Sequence, residues 1–379
     1  MNLPCSYDLR PAPFLYVAPD RWNDWHWQHQ HRLRSVGDFD DVLKLSDDER
    51  AAFDDGADRF RVAVTPHYAA LMSADDYRCP VRLQALPSSD ELREYPFERR
   101  DPLAEEEFMP APGLTHRYPD RALLYVSHHC PVYCRHCTRK RKVSNPTTAA
   151  SRRQIEAGIK YIAETPQIRD VILSGGDPLT LSDERLDHIL SSLRTIDHLD
   201  VIRLGTRNPV TLPQRITDGL CEVLQRHAPI YINTHFNHPA EICAQSAGAL
   251  QKLVASGCIL GNQMVLLQGI NDDADTVMTL NRKLLRRGCR PYYILQCDMA
   301  RGITHFRTPL QTGLDIMEHL RGRIGGLGVP DFVVDLPGGG GKVELVPDYI
   351  VDREDSEFGE VIRFRNFQGR EYAFVDVGE

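Results

Sequence analysis

Three cysteines in the run His129-Cys130-Pro131-Val132-Tyr133-Cys134-Arg135-His136-Cys137 offer thiolates at C-x3-C-x2-C spacing, one ligand short of the four that a closed metal site needs. Thiolates suit iron–sulfur clusters and zinc, and a cubane cluster held by three cysteines leaves one iron open to a substrate or cofactor. The competing reading is a zinc loop completed by His136 or by a distant cysteine. Further along, Ser174-Gly175-Gly176-Asp177-Pro178 is a turn whose glycines admit close backbone approach, with carbonyls and a carboxylate able to receive an ammonium group. Lys342 follows the glycine run Gly338 to Gly341, where the ordinary expectation is a solvated lysine on a flexible loop. The basic run Arg139-Lys140-Arg141-Lys142 begins two residues after Cys137, and its position favours local binding of anionic groups over nuclear targeting.

These residues need a scaffold, and the pattern from Ala122 onward supplies one. Short apolar runs at Leu123–Ser127, Asp170–Ser174, Val201–Gly205, Ile230–Thr234, Gln263–Leu267, Tyr292–Gln296 and Phe332–Asp335 alternate with helical segments such as Arg152–Glu164, Asp183–Leu193 and Pro213–Arg226. Nearly continuous apolar strands separated by helices predict parallel βαβ units covered on both faces. The expected class is α/β, a complete or partial (β/α) TIM-type barrel over residues 111–345. A helical region and linker precede it (1–110), and a short C-terminal extension follows (346–379). In such barrels chemistry sits in the loops after the strands, and the motifs above fall there.

The remaining features bound the function. A chain of 379 residues with 42% hydrophobic and 26% charged residues and a formal charge of −8 argues against a basic nucleic-acid-binding face. No apolar stretch reaches the ~18 residues of a membrane span, and Met1-Asn2-Leu3-Pro4-Cys5 lacks a signal-peptide pattern, so a cytoplasmic location is expected. Cysteines scattered outside the run (Cys5, Cys79, Cys221, Cys243, Cys258, Cys289, Cys297) read as small buried hydrophobes and not as a disulfide framework. Ser46 and Glu49 have capping-box spacing. Trp22 and Trp25, at i and i+3, predict one packed helical face. Prolines at 96, 102, 110 and 112 predict an extended surface linker.

From Trp22 to Tyr349 the chain resembles the lysine 2,3-aminomutase family of the radical S-adenosylmethionine (SAM) superfamily, which also uses pyridoxal phosphate (PLP). The resemblance is carried by Cys130 to Arg139, by Gly113-Leu114-Thr115-His116-Arg117-Tyr118-Pro119-Asp120-Arg121, by His305-Phe306-Arg307-Thr308-Pro309 and by Pro337 to Lys342. It implies that Cys130, Cys134 and Cys137 ligate a 4Fe–4S cluster whose open iron chelates SAM, and that Gly175, Gly176 and Asp177 receive the SAM amino group. Lys342 would form an imine with PLP, and Arg117 and Arg121 would hold its phosphate. Arg139 would bind the substrate α-carboxylate, with Asp298 and Asp335 on the distal ammonium, because two converging acids repel each other without a cation between them. The implied enzyme is an isomerase, an amino acid 2,3-aminomutase that converts L-lysine to β-lysine. L-Arginine is the alternative substrate, and a non-catalytic iron–sulfur protein is the alternative class. A flavodoxin- or ferredoxin-like reductant and a homo-oligomer are also implied. Some relatives carry a zinc site of C-terminal cysteines; no cysteine follows Cys297 and Asp273 stands at the barrel position, so no structural zinc is expected. Arg301 is a basic insertion near the distal pocket without an evident role.

Overall fold

The computed structural model describes residues 10, 12–55, 61–143, 145 and 150–377; the reading of Met1 to Cys5 lies outside them. Nine strands form one sheet in which each strand lies beside its neighbour in sequence: β1 Leu114–Tyr118, β2 Arg121–Ser127, β3 Asp170–Gly175, β4 Val201–Gly205, β5 Tyr231–Thr234, β6 Ile259–Leu266, β7 Cys289–Gln296, β8 Asp331–Leu336 and β9 Gly341–Glu344. Strands β2 to β8 pair in parallel, while β1 and β9 run antiparallel at the two edges. The sheet curls into a nearly closed barrel of the expected partial (β/α) kind.

Apolar residues of the parallel strands, among them Leu124, Leu173, Leu204, Ile232, Ile294 and Phe332, are buried against the inner faces of the crossover helices. Helix Arg152–Ala163 starts at a Ser151 capping box and buries Ile155 and Ile162; Asp183–Arg194 starts at Ser182 and buries Leu186, Ile189, Leu190 and Leu193. The third expected helix is shorter than its pattern suggested: Pro213–Arg215 is a separate 3-10 turn, and the α-helix is Asp218–Arg226, capped by Thr217. Asp273 is a helix cap, its carboxylate accepting from the Thr276 N–H at 2.8 Å ahead of Ala274–Leu285.

Two edge strands escaped sequence reasoning. The phrase Leu114 to Arg121 is a strand, a tight turn and the start of the next strand. Lys342 sits on β9 with Asp335 as its cross-strand partner, and not on a flexible loop.

The N-terminal region is welded to the barrel. The Thr65 hydroxyl donates to Thr211 O at 2.6 Å, and Tyr68 Oη donates to Glu241 at 2.8 Å. The Ser46–Glu49 capping box forms as expected. The tryptophans do not share a helical face, because the chain breaks at Asn23 and restarts with Asp24 as the cap of Trp25–Gln30. Trp22 is buried against Phe14 and Trp27, while Trp25 stacks on the Arg215 guanidinium. The proline-rich stretch lies over the barrel as a series of turns rather than as an extended linker: Pro96, Pro110 and Pro112 are on the surface as expected, Pro102, Ala104 and Glu105 are buried, and Arg99 exchanges backbone hydrogen bonds with Met299 and Arg301. At the C-terminus, β10 Ile350–Ser356, β11 Gly359–Arg365 and β12 Glu371–Asp376 form an antiparallel sheet of their own. Among the described residues no helix is long and apolar enough to cross a membrane.

Candidate active site

A cavity of about 450 Å³ opens at the C-terminal ends of the parallel strands, and all the site residues singled out from the sequence line it. The cysteines form one wall. Their loop leaves β2 and is clamped by the N-terminal region: Tyr133 N–H donates to Ala63 O, Arg135 N–H to Gln84 O, and Arg32 Nη1 to Cys130 O at 2.8 Å. Buried Arg135 makes a two-pronged pair with Glu91 at 2.7 and 2.6 Å. Burial pushes the Cys130 thiol well above its ordinary range, helped by Asp177 and the other two cysteines, and pushes Cys137 up to about 11. All three cysteines line the same cavity, where burial disfavours a bare thiolate charge.

The glycine turn after β3 is pressed against this loop. Gly175 has φ +109°, and a Cβ on Gly176 would lie 2.4 Å from the His129 carbonyl oxygen. Asp177, expected to receive an ammonium, is tied into the loops: Oδ1 accepts from Leu179 N, Thr206 Oγ1 and Asn208 Nδ2, and Oδ2 from Arg207 N. Asp177 thus braces the β3 loop to the β4 loop.

The opposite wall carries the amine and the charged groups. Lys342 Nζ pairs with Asp335, which also accepts from Arg117 Nη2 at 3.0 Å. Tyr118 Oη accepts from Arg117 Nη2 at 3.1 Å and from the Lys342 backbone N–H at 2.9 Å. Arg121 lies over the Tyr118 ring at 4.0 Å and near Asp120. Arg117, expected on a phosphate, pairs with Asp335. Burial and the neighbouring Asp335 raise Asp298 to about 7, against the opposing pull of Lys342, Arg139 and Arg117.

Arg139 is paired too, with Glu105 at 2.7 Å. The basic run, expected to bind anionic groups locally, pairs with protein carboxylates: Arg141 meets Asp101, Glu105 and Glu106, Lys142 approaches Glu105, and Lys140 reaches Glu91. Arg301 pairs with Glu94 and lines a separate cavity beside the N-terminal region, away from Asp298 and Asp335.

Two participants, Glu105 and Tyr118, were given no role from the sequence, and a third, Arg207, stood out only within the Gly205-Thr206-Arg207 motif after the third expected strand. Glu105 lies in a stretch that looked like linker. Tyr118 sits between two arginines that drew attention first. Arg207 follows a strand that was recognised, but its partners come from four other segments: Cys134 Sγ at 2.8 Å, His235 O at 3.0 Å, Glu241 at 2.6 Å and Gln84 at 2.5 Å. Only the last-mentioned kind of signal, an arginine directly after a barrel strand, was available from spacing.

Comparison with known proteins agrees with this geometry. A family model described as Radical SAM superfamily matches residues 124–280, which implies a 4Fe–4S cluster and SAM, and one described as Lysine-2,3-aminomutase matches residues 317–375. L-lysine 2,3-aminomutase of Bacillus subtilis is 47% identical over 353 residues, covering 93% of this chain and 74% of that one. The enzyme of the same name from Fusobacterium nucleatum is 46% identical over 364 residues, 96% and 85% of the two chains. Glutamate 2,3-aminomutase of Clostridioides difficile is 42% identical over 356 residues, 94% and 83%. Strand order, the three-thiol loop, the lysine on β9 and identity along nearly the whole length together show that this chain belongs to the lysine 2,3-aminomutase family of radical SAM isomerases.

Proposed function

We propose that the protein moves the α-amino group of L-lysine to the β-carbon, giving β-lysine. The observation that carries the choice of substrate is the convergence of Asp298 and Asp335 in the cavity that holds Lys342 and Arg139. Similar identity to lysine- and glutamate-named relatives, 47% and 42%, leaves overall similarity unable to choose between them. The side chains do choose: a glutamate side chain would place a third carboxylate beside two, whereas an ammonium relieves their repulsion. Arginine finds no support among these relatives.

Cys130, Cys134 and Cys137 would hold the cluster, the Gly175-Gly176 turn would border SAM, and Lys342 would carry PLP. When bound, the cluster with SAM supplies a radical able to remove hydrogen from an unactivated carbon, and PLP supplies a ring that delocalises an unpaired electron. The protein's own residues bind and orient. Arg139 takes the α-carboxylate, and Asp298 and Asp335 take the distal ammonium. Arg117 and Arg121 would hold the cofactor phosphate. Asp335, which pairs with both Arg117 and Lys342, would then face the substrate's distal ammonium together with Asp298. The buried walls keep water and stray hydrogen donors from the reacting carbons.

A flavodoxin- or ferredoxin-like reductant would deliver the electron. The C-terminal sheet exposes Phe358, Tyr372, Phe374 and Val375, an apolar surface that supports a homo-oligomer. The deciding experiment is an anaerobic assay of reconstituted protein with SAM, PLP and dithionite, offering L-lysine, L-arginine and L-glutamate separately. β-Lysine as the preferred product is the expected result. Preferential conversion of glutamate or arginine would overturn the substrate assignment, and SAM cleavage without any amino acid product would overturn the roles of Asp298 and Asp335.

A further inference from the structure

We propose that Glu105 is a positioning residue that sets Arg139 for the substrate α-carboxylate and so determines selectivity for amino acids over amines. The inference rests on the role given above to Arg139.

Glu105 is buried and lines the same cavity as Arg139. Its Oε1 accepts from Arg139 Nε and lies 2.7 Å from Nη2, so one edge of the guanidinium is used on the protein. Its Oε2 accepts from Tyr125 Oη at 2.5 Å and from Arg141 Nη2 at 3.3 Å, with Lys142 Nζ at 3.9 Å. Burial alone would raise the Glu105 carboxyl, but Arg139, Tyr125 and Lys142 hold it at about 2, so it is a carboxylate at any working pH. A fork gripped along one edge by a fixed carboxylate can present only its remaining N–H groups to a ligand, in one orientation.

The backbone shows that this placement is built. Ala104, immediately before Glu105, is the only described non-glycine residue with positive φ, at +51°. A left-handed alanine persists only where its surroundings over-determine it, and such strain gathers at sites with a task. The surroundings here are ties to edge strand β1 and to the glycine loop before Lys342: Thr115 Oγ1 donates to Glu105 O, Arg117 Nη1 to Leu103 O, and Gly338 N–H to Pro102 O. The segment that carries Glu105 therefore moves with the elements that carry Arg117 and Lys342.

The test is anaerobic calorimetry on PLP-loaded protein with L-lysine and with cadaverine, which has the same chain and distal amine but no carboxylate. Wild type should bind lysine much more tightly than cadaverine. Glu105→Gln should weaken lysine binding by about tenfold or more while cadaverine changes less than about twofold, and Glu105→Asp should recover part of the loss. Equal weakening of both ligands would make Glu105 a structural residue and overturn the proposal. Unchanged lysine binding in Glu105→Gln, with wild-type discrimination intact, would overturn it while leaving Arg139 as the carboxylate site. Wild type that fails to discriminate lysine from cadaverine would overturn the proposal together with the role of Arg139. Retained PLP absorbance in Glu105→Gln shows that the variant is folded.

Discussion

Affinity for a cationic side chain should climb with pH until Asp298 is ionised. Burial and Asp335 raise that carboxyl to about 7, against the opposing pull of Lys342, Arg139 and Arg117. A distal ammonium prefers the ionised acid, so binding it expels the proton. The sign follows directly: below the midpoint binding must release a proton and affinity rises with pH, and above it the dependence vanishes. The slope is bounded at about tenfold, or about 1.4 kcal/mol, per pH unit on the acid side. The assay is calorimetric titration of PLP-loaded protein with L-lysine and L-norleucine between about pH 6 and pH 8.5. Taking the ratio of the two dissociation constants cancels the α-amino ionisation that both ligands share. The preference for lysine should grow about five- to tenfold from pH 6 to pH 7 and then flatten. Asp298→Asn should make the ratio small and independent of pH. A wild-type ratio that does not change with pH, or a dependence that survives in Asp298→Asn, would refute the reasoning.

Other consequences follow from the same geometry. Cys134→Ala should abolish reductive cleavage of SAM, and continued formation of 5′-deoxyadenosine would remove Cys134 from the cluster. Gly176→Ala places a methyl group 2.4 Å from the His129 carbonyl oxygen and 2.8 Å from backbone atoms of His128 and His129, so the cysteine loop must shift; iron bound per chain after reconstitution should fall, and full iron content would show that the turn yields. Arg82 is fully buried and pairs with Glu49 at 2.7 and 2.6 Å, so Glu49→Ala leaves an uncompensated buried cation and should cost about 3–5 kcal/mol in urea unfolding. A loss below about 1 kcal/mol would mean that the Ser73, Ala74 and Lys44 carbonyls, which also accept from Arg82, suffice to hold the charge.

Much of the fold was legible because its rules are local. Parallel strands buried on both faces must be apolar almost throughout, so β2 to β8 were visible as runs, in places only as their central residues. Caps such as Ser46, Ser151 and Ser182 mark helix starts through contacts within four residues. The edge strands β1 and β9 were invisible for the same reason: Leu114–Tyr118 and Gly341–Glu344 are short, partly exposed and glycine-flanked, and become strands only because the barrel edge offers a partner. The C-terminal strands, mostly exposed, lack the apolar runs that would have announced them.

The site divides along the same line. Type and spacing marked the thiols, and the family resemblance marked the glycine turn and the lysine after the glycines; all line one cavity. Which charges face one another was decided by tertiary structure alone. Pairs such as Arg139 with Glu105, Arg117 with Asp335, and Arg207 with Glu241 and Cys134 join segments far apart in the chain, and a side chain's partner depends on where the barrel sets its backbone. Thus Asp177 reads as a turn carboxylate in the sequence and also braces two loops in the fold, while Glu105 reads as part of a linker and stands inside the cavity. Electrostatic partnership is set by distances through space, which sequence spacing does not encode.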